Sequence, residues 1–236
     1  MEQQSAAFSK TAGFTKIPYG QHSRQWFETT PGQGREKIIP VVIHGGYWRA
    51  MEAQNHRFML SGLCDVGDVL ANVEYRLIPD VRMADIVGDI CAALAGIMDK
   101  YPQHRLLLVG HSAGAHLALQ ASRQNNIPGN LAGVVAISCL FDLRPVSQSF
   151  LQSELHLSPA EITHFSEIPT QPPYPVLLVN GANETPEFLR QSACAAVAMK
   201  APWIEIEGTH HMTVLNGLID PRSPLVTAIS DWLKGL

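Results

Sequence analysis

Apolar residues in this chain fall into short unbroken runs separated by longer stretches with helical spacing. Lys37 to His44 (KIIPVVIH) is a β-branched run of the kind that suits a strand buried on both faces. Asp68 to Tyr75 (DVLANVEY), Arg105 to Gly110 (RLLLVG), Gly133 to Ser138, Pro175 to Asn180 (PVLLVN) and Trp203 to Glu207 repeat the strand pattern. Gln25 to Thr29 reads as a further short strand, ended by the turn-rich PGQG at 31–34. Between these runs, Phe58 to Cys64, Met83 to Lys100, Ser112 to Ser122, Thr185 to Met199 and the amphipathic Pro224 to Leu236 read as helices, and Pro102 stops the second of them. Residues 1–23 show neither period and read as a loose lead-in. Segment 141–173 is irregular and proline-rich, with one helical piece near Pro159 to Phe165; it is too long for an ordinary connection and reads as a lid-like insertion over a site. Strand and helix alternating in this way predict an α/β chain, with a mainly parallel sheet flanked by helices on both faces and a single domain over 1–236.

Composition agrees with a compact body. The 236 residues are 46% hydrophobic and only 16% charged, with net charge −4. No stripe of Lys or Arg marks a nucleic-acid or anionic-membrane surface. The polar start MEQQSAAFSKTAGF lacks an apolar signal core, and Leu131 to Phe141, the longest apolar stretch, is far short of a membrane span. A cytoplasmic location is the default expectation. The four cysteines (Cys64, Cys91, Cys139, Cys194) are scattered and read as reduced, mostly buried thiols.

The chemistry concentrates in three places. Gly110-His111-Ser112-Ala113-Gly114 lies between a strand and a helix, the setting of a nucleophile elbow. There the serine occupies a strained turn, and glycines two before and two after it leave room that a Cβ would fill. The helix that follows offers free N–H groups to negative charge. His44-Gly45-Gly46-Tyr47-Trp48 follows the strand KIIPVVI, where a carbonyl under attack needs amide donors. One donor is assigned to Ala113, and one or two more to Gly45, Gly46 or Tyr47. The bland alternative is a glycine turn with its two aromatics packed inward.

A serine also needs a base and the base an acid, in chain order Ser, acid, His. Glu184 follows the strand PVLLVN and is the candidate acid, with Asp142 its rival. His210 and His211 both follow the strand WIEIE as candidate bases. No HExxH or similar spacing points to a metal, and no cofactor is implied. The expected partner is a small-molecule acyl substrate, with a homodimer as the candidate assembly.

These residues resemble the kynurenine formamidase (arylformamidase) branch of the α/β hydrolases over about residues 40 to 218. HGGYW at 44–48 is similar to its oxyanion motif, VEYRLIP at 73–79 to a strand-end segment, and GHSAGAHLA at 110–118 to its elbow. ETPEFLRQS at 184–192 resembles its acid loop and helix, with Glu where Asp is usual. GTHHMTVL at 208–215 resembles its histidine loop and puts the base on His211, with Met212 where an aromatic is usual. Cys139 stands where a glycine is common. The resemblance implies an α/β-hydrolase fold, no cofactor, and hydrolysis of an aryl formamide, N-formyl-L-kynurenine being the leading case. His44, Trp48, His111 and Met212 are motif and pocket candidates, and Tyr47, Trp48 and parts of 141–173 are expected to shape an aromatic pocket. The alternatives are a small-acyl carboxylesterase and a catalytically silent binding protein on the same fold.

Overall fold

In the computed structural model, which describes residues 2–124, 127 and 131–236, the apolar runs are the strands of one eight-stranded sheet. The strands are β1 (Thr15–Pro18), β2 (Trp26–Pro31), β3 (Ile38–Ile43), β4 (Val69–Val73), β5 (Arg105–His111), β6 (Leu131–Ile137), β7 (Val176–Gly181) and β8 (Trp203–Ile206). Their order is β1-β2-β4-β3-β5-β6-β7-β8. β1 and β2 run antiparallel to their neighbours, and every pairing from β4 through β3 to β8 is parallel.

The two-residue period of the strands sorts the core onto both faces of the sheet. Ile39, Val41, Ile43, Leu106, Leu108, Val134, Ala136 and Leu178 face one side. There they meet helices α3 (Met83–Lys100), α4 (Ala113–Ser122) and α8 (Pro186–Met199). Ile38, Val42, Leu107, Val109, Val135, Ile137, Leu177 and Val179 face the other. On that side lie α2 (Phe58–Gly62), a 3₁₀ turn at Thr213–Leu218 and α9 (Pro224–Lys234). Both faces being covered explains why β3, β5, β6 and β7 read as continuous apolar runs. Among the described residues no helix is long and apolar enough to cross a membrane.

Two expectations change. The lead-in is ordered: α1 (Glu2–Thr11) packs through Ser5, whose hydroxyl donates to the Asn55 carbonyl at 2.7 Å, and β1 pairs with β2 from Thr15↔Thr29 to Pro18↔Trp26. Neither was visible because α1 buries few apolar side chains and β1 is a short, mostly exposed edge strand, held by one neighbour. Segment 141–173 contains three helical pieces, α5 (Arg144–Ser147), α6 (Gln152–Leu155) and α7 (Pro159–Phe165), where one was expected. It is anchored, with Leu143, Leu155 and Phe165 buried in the core, Arg49 paired with Glu154, and Arg82 paired with Glu161.

The parallel register aligns the strand ends that carry the motifs. Ile43 pairs with Gly110, His111 with Ile137, Ile137 with Val179 and Gly181 with Ile206. The loops after β3, β5, β6, β7 and β8 therefore share one edge of the sheet, where open α/β sheets place their ligands.

Candidate active site

β5 turns directly into α4 at Ser112, whose backbone lies at φ 54° and ψ −120°. A non-glycine residue there is strained, and the surrounding packing must hold it. The Ser112 amide donates to the Ile137 carbonyl at 2.8 Å, and its carbonyl accepts from the His116 amide at 3.1 Å. The elbow glycines are demanded by contact: a Cβ on Gly110 would lie 2.4 Å from the Gly114 oxygen, and one on Gly114 would lie 2.1 Å from the Ile43 oxygen.

The three residues expected to act with one another meet at this edge. His211 Nε2 is 3.1 Å from Ser112 Oγ, and its Nδ1 is 3.1 Å from Glu184 Oε2. A carboxylate only accepts, so Nδ1 carries the proton and the Nε2 lone pair faces the serine hydroxyl. Glu184 Oε1 accepts from the Ser138 hydroxyl at 2.5 Å and the Gly181 amide at 2.9 Å. Burial pushes the Glu184 carboxyl up, but the hydrogen bonds from His211, Ser138 and Gly181 outweigh burial and hold it below the ordinary glutamate value. Glu184 is buried, whereas the His211 side chain is 24% exposed, open enough to exchange protons with a substrate.

The rivals are elsewhere. His210 is exposed and its Nδ1 accepts from the Met212 amide at 3.3 Å. Asp142 is clasped by the Arg144 guanidinium, which holds its carboxyl below the usual range. Sequence reasoning missed Ser138, whose contact with Glu184 had one faint signal: a hydroxyl residue ending the strand beside the one that leads to Glu184.

Several pocket candidates have other positions. His111 is buried and its Nε2 donates to the His211 carbonyl at 2.8 Å, with the two rings 4.8 Å apart. Burial, together with the adjacent His211, drives its pKa down to about 3, so it is a neutral prop for the histidine loop and no part of the pocket wall. Trp48 is fully buried, its ring 5.2 Å from that of His116, because the loop turns it into the core. His44 is likewise buried, stacked on Tyr75 at 4.2 Å. Met212 is exposed and is absent from the cavity lining.

The cavity beside the histidine has a volume of about 210 Å³. Tyr47, Phe150 and Phe188 give it an aromatic wall, and Phe188 packs its ring 4.5 Å from that of His211. Val146, Ser149 and Leu151 line it from the 141–173 segment. Thr185 and Glu187 also line it, Glu187 already paired with Arg190. Gly45 approaches Ser112 closely, since a Cβ there would come 3.3 Å from Ser112 Cβ. Among the described residues no group of three or more His, Cys, Asp or Glu is arranged to hold a metal ion.

The alpha/beta hydrolase fold family matches residues 40–172 of the chain. Kynurenine formamidase of Danio rerio is 24% identical over 234 residues, which cover 91% of this chain and 80% of that one. Kynurenine formamidase of Salmo salar is 24% identical over 225 residues, covering 86% and 76%. Among solved structures, a provisionally assigned thioesterase from Silicibacter sp. tm1040 aligns with a TM-score of 0.87 at 27% identity, over 97% of this chain and 90% of that chain. Esterase B from Lactobacillus rhamnosis aligns with a TM-score of 0.75 at 18% identity, over 99% and 90%, a likeness of fold.

Proposed function

Since this chain belongs to the alpha/beta hydrolase fold family and is a hydrolase of amide or ester bonds, we propose that it removes a small acyl group from an aryl formamide. N-formyl-L-kynurenine, giving L-kynurenine and formate, is the substrate favoured by its likeness to the fish kynurenine formamidases. The observation that carries the reading is the unbroken chain of contacts from Ser112 Oγ through His211 to Glu184, 3.1 Å at each link.

His211 Nε2 takes the Ser112 proton as Oγ attacks the formyl carbon. The oxyanion that forms is met by the Ala113 amide and by amides of the 45–47 loop. The C–N bond then breaks, with His211 returning its proton to the aryl amine. Water, deprotonated by the same imidazole, attacks the formyl-serine; the C–Oγ bond breaks, His211 returns that proton to Ser112 Oγ, and formate leaves. Glu184 holds the imidazole in the working tautomer and offsets its charge while it is protonated. The aromatic wall of Tyr47, Phe150 and Phe188 suits the aryl half of such a substrate.

One observation favours a second reading, a small-acyl carboxylesterase. Among the described residues lining the cavity there is no Lys, Arg or His, so no cation there pairs with the carboxylate of an amino-acid substrate. Comparing kcat/KM for N-formyl-L-kynurenine and p-nitrophenyl acetate separates the two. The formamidase reading expects the formamide to lead, and a clear ester preference refutes it. A fluorophosphonate probe is expected to label wild type and not Ser112→Ala, and kcat should fall about 10³–10⁶-fold in Ser112→Ala and His211→Ala. Equal labelling of both proteins would remove Ser112 as nucleophile.

A further inference from the structure

The loop that follows β3 is tied to a buried polar cluster of His44, Glu74 and Tyr75. The Tyr75 hydroxyl donates to the His44 carbonyl at 2.7 Å and lies 3.4 Å from the Gly45 carbonyl. His44 Nδ1 donates to that same Gly45 carbonyl at 2.7 Å. The Gly46 carbonyl accepts from the amides of Arg49 at 3.1 Å and Ala50 at 3.0 Å. Three successive carbonyls, 44, 45 and 46, are thus tied, the first two by one tyrosine hydroxyl and the third within the turn itself.

A planar trans peptide points its C=O and its N–H in opposite directions. Tying the three carbonyls therefore turns the amides of Gly45, Gly46 and Tyr47 the other way. Among the described residues no group accepts a hydrogen bond from any of these three amides. The loop lies against the nucleophile, for a Cβ on Gly45 would also meet the His111 oxygen at 3.0 Å.

The loop needs such ties. Gly46, Tyr47 and Trp48 have φ of 111°, 50° and 59°, three consecutive residues in the left-handed region, two of them aromatic. Conformations of this kind persist only where neighbours over-determine them. The His44 ring is itself held, between Tyr75 at 4.2 Å and His56 at 5.4 Å, with Glu74 Oε1 3.4 Å from Nε2. Glu74 is fixed in turn by Arg24, by the Ala53 amide at 2.8 Å and by the Tyr75 amide at 3.2 Å.

We propose that His44 and Tyr75 are positioning residues for the hydrolysis: by pinning the carbonyls of residues 44 and 45 they aim the Gly46 amide, and the Tyr47 amide after it, at the oxyanion. The proposal rests on Ser112 being the nucleophile. Neither side chain touches substrate, and each acts only through the backbone of the loop.

The test compares wild type with His44→Phe, His44→Asn and Tyr75→Phe, using p-nitrophenyl acetate and two inhibitors of one shape. Phenyl trifluoromethyl ketone adds to the serine and forms an oxyanion; acetophenone binds without one. Loss of a whole oxyanion donor costs about 10²–10³-fold in kcat, so a misaimed one should cost about 10–10²-fold in kcat/KM in His44→Phe, and about 10-fold in Tyr75→Phe. The Ki of the trifluoromethyl ketone should rise by the same factor while that of acetophenone stays constant. His44→Asn, whose side-chain amide can reach the Gly45 carbonyl, should recover most of the loss. Unchanged kcat/KM in Tyr75→Phe, or parallel loss of both inhibitors, overturns the proposal. Tyr75→Phe removes one oxygen and carries the test if His44→Phe does not fold. A wild type that neither reacts with fluorophosphonate nor turns over the ester defeats the nucleophile assignment instead, which keeps the two failures distinct.

Discussion

Lowering the pH from 7.5 to 5 should remove a large part of this protein's stability, through three histidines buried without charge. Burial drives His111 down to about 3, and His56 and His116 each down to about 4. In the unfolded chain each returns to about 6.5. A folded pKa below the unfolded one means that the unfolded state binds more protons. The stability these residues confer as neutral groups is therefore complete above about pH 7 and drains as pH falls from 6.5 towards the folded values. At pH 5 the unfolded chain gains about 2 kcal/mol per histidine, from 1.5 pH units at about 1.4 kcal/mol each. Three such groups total about 6 kcal/mol, comparable to the whole stability of an ordinary domain at about 5–15 kcal/mol. Glu74 and Glu184, both buried and held below the ordinary glutamate value, lose their contribution only at lower pH and do not compete in this window. Urea unfolding at pH 7.5, 6.5, 5.5 and 5.0 measures the effect. His111→Gln keeps a donor for the His211 carbonyl but cannot titrate, so it should flatten the difference by about 2 kcal/mol. Equal unfolding free energies at pH 7.5 and 5.0, or a His111→Gln profile parallel to wild type, would refute the reasoning.

Ser138→Ala deletes one of the hydrogen bonds on the buried Glu184 carboxylate and should lower kcat about 10-fold, the order expected for one bond to a charged group; unaltered kcat on p-nitrophenyl acetate would count against it. Glu184→Gln should cost more than Asp142→Asn, whose carboxylate serves only Arg144, and comparable losses in kcat would transfer the acid role to Asp142. Phe150 is 81% exposed on the cavity rim, so Phe150→Ala should leave the melting temperature unchanged while raising KM about 3–10-fold for aryl esters and not for ethyl acetate. Equal effects on both esters would remove Phe150 from the aryl site.

The frame was readable because its physics is local. Continuous apolar runs such as KIIPVVI and RLLLV have one economical solution, a strand covered on both faces, and the parallel register then brings the loops at 44–48, 110–114, 181–184 and 208–211 to one edge without further information. The elbow glycines were legible for the same reason, since the clashes that exclude a side chain at 110 and 114 arise from the turn itself. Where the pattern is sparse, reading failed. α1 is held by single contacts, such as Ser5 to Asn55 fifty residues away, and nothing in the spacing of its own residues announces them.

The site divides along the same line. Ser112, Glu184 and His211, which the structure brings into contact, were proposed because each follows a strand and the expected chain order is Ser, acid, His. His44, Trp48 and His111 lie in the same motifs, yet all three side chains are turned away from the cavity, and which way a motif residue turns depends on backbone angles that composition does not carry. The left-handed run from Gly46 to Trp48 swings Tyr47 to the cavity and Trp48 into the core, so adjacent aromatics have opposite fates. A strained loop of this kind needs partners, and its partners come from β4's end at Glu74 and Tyr75, thirty residues on. The VEYRLIP segment, read from the sequence as a strand end and a family pattern, thereby has a physical role: its tyrosine hydroxyl is the donor that the His44 carbonyl lacks within its own loop.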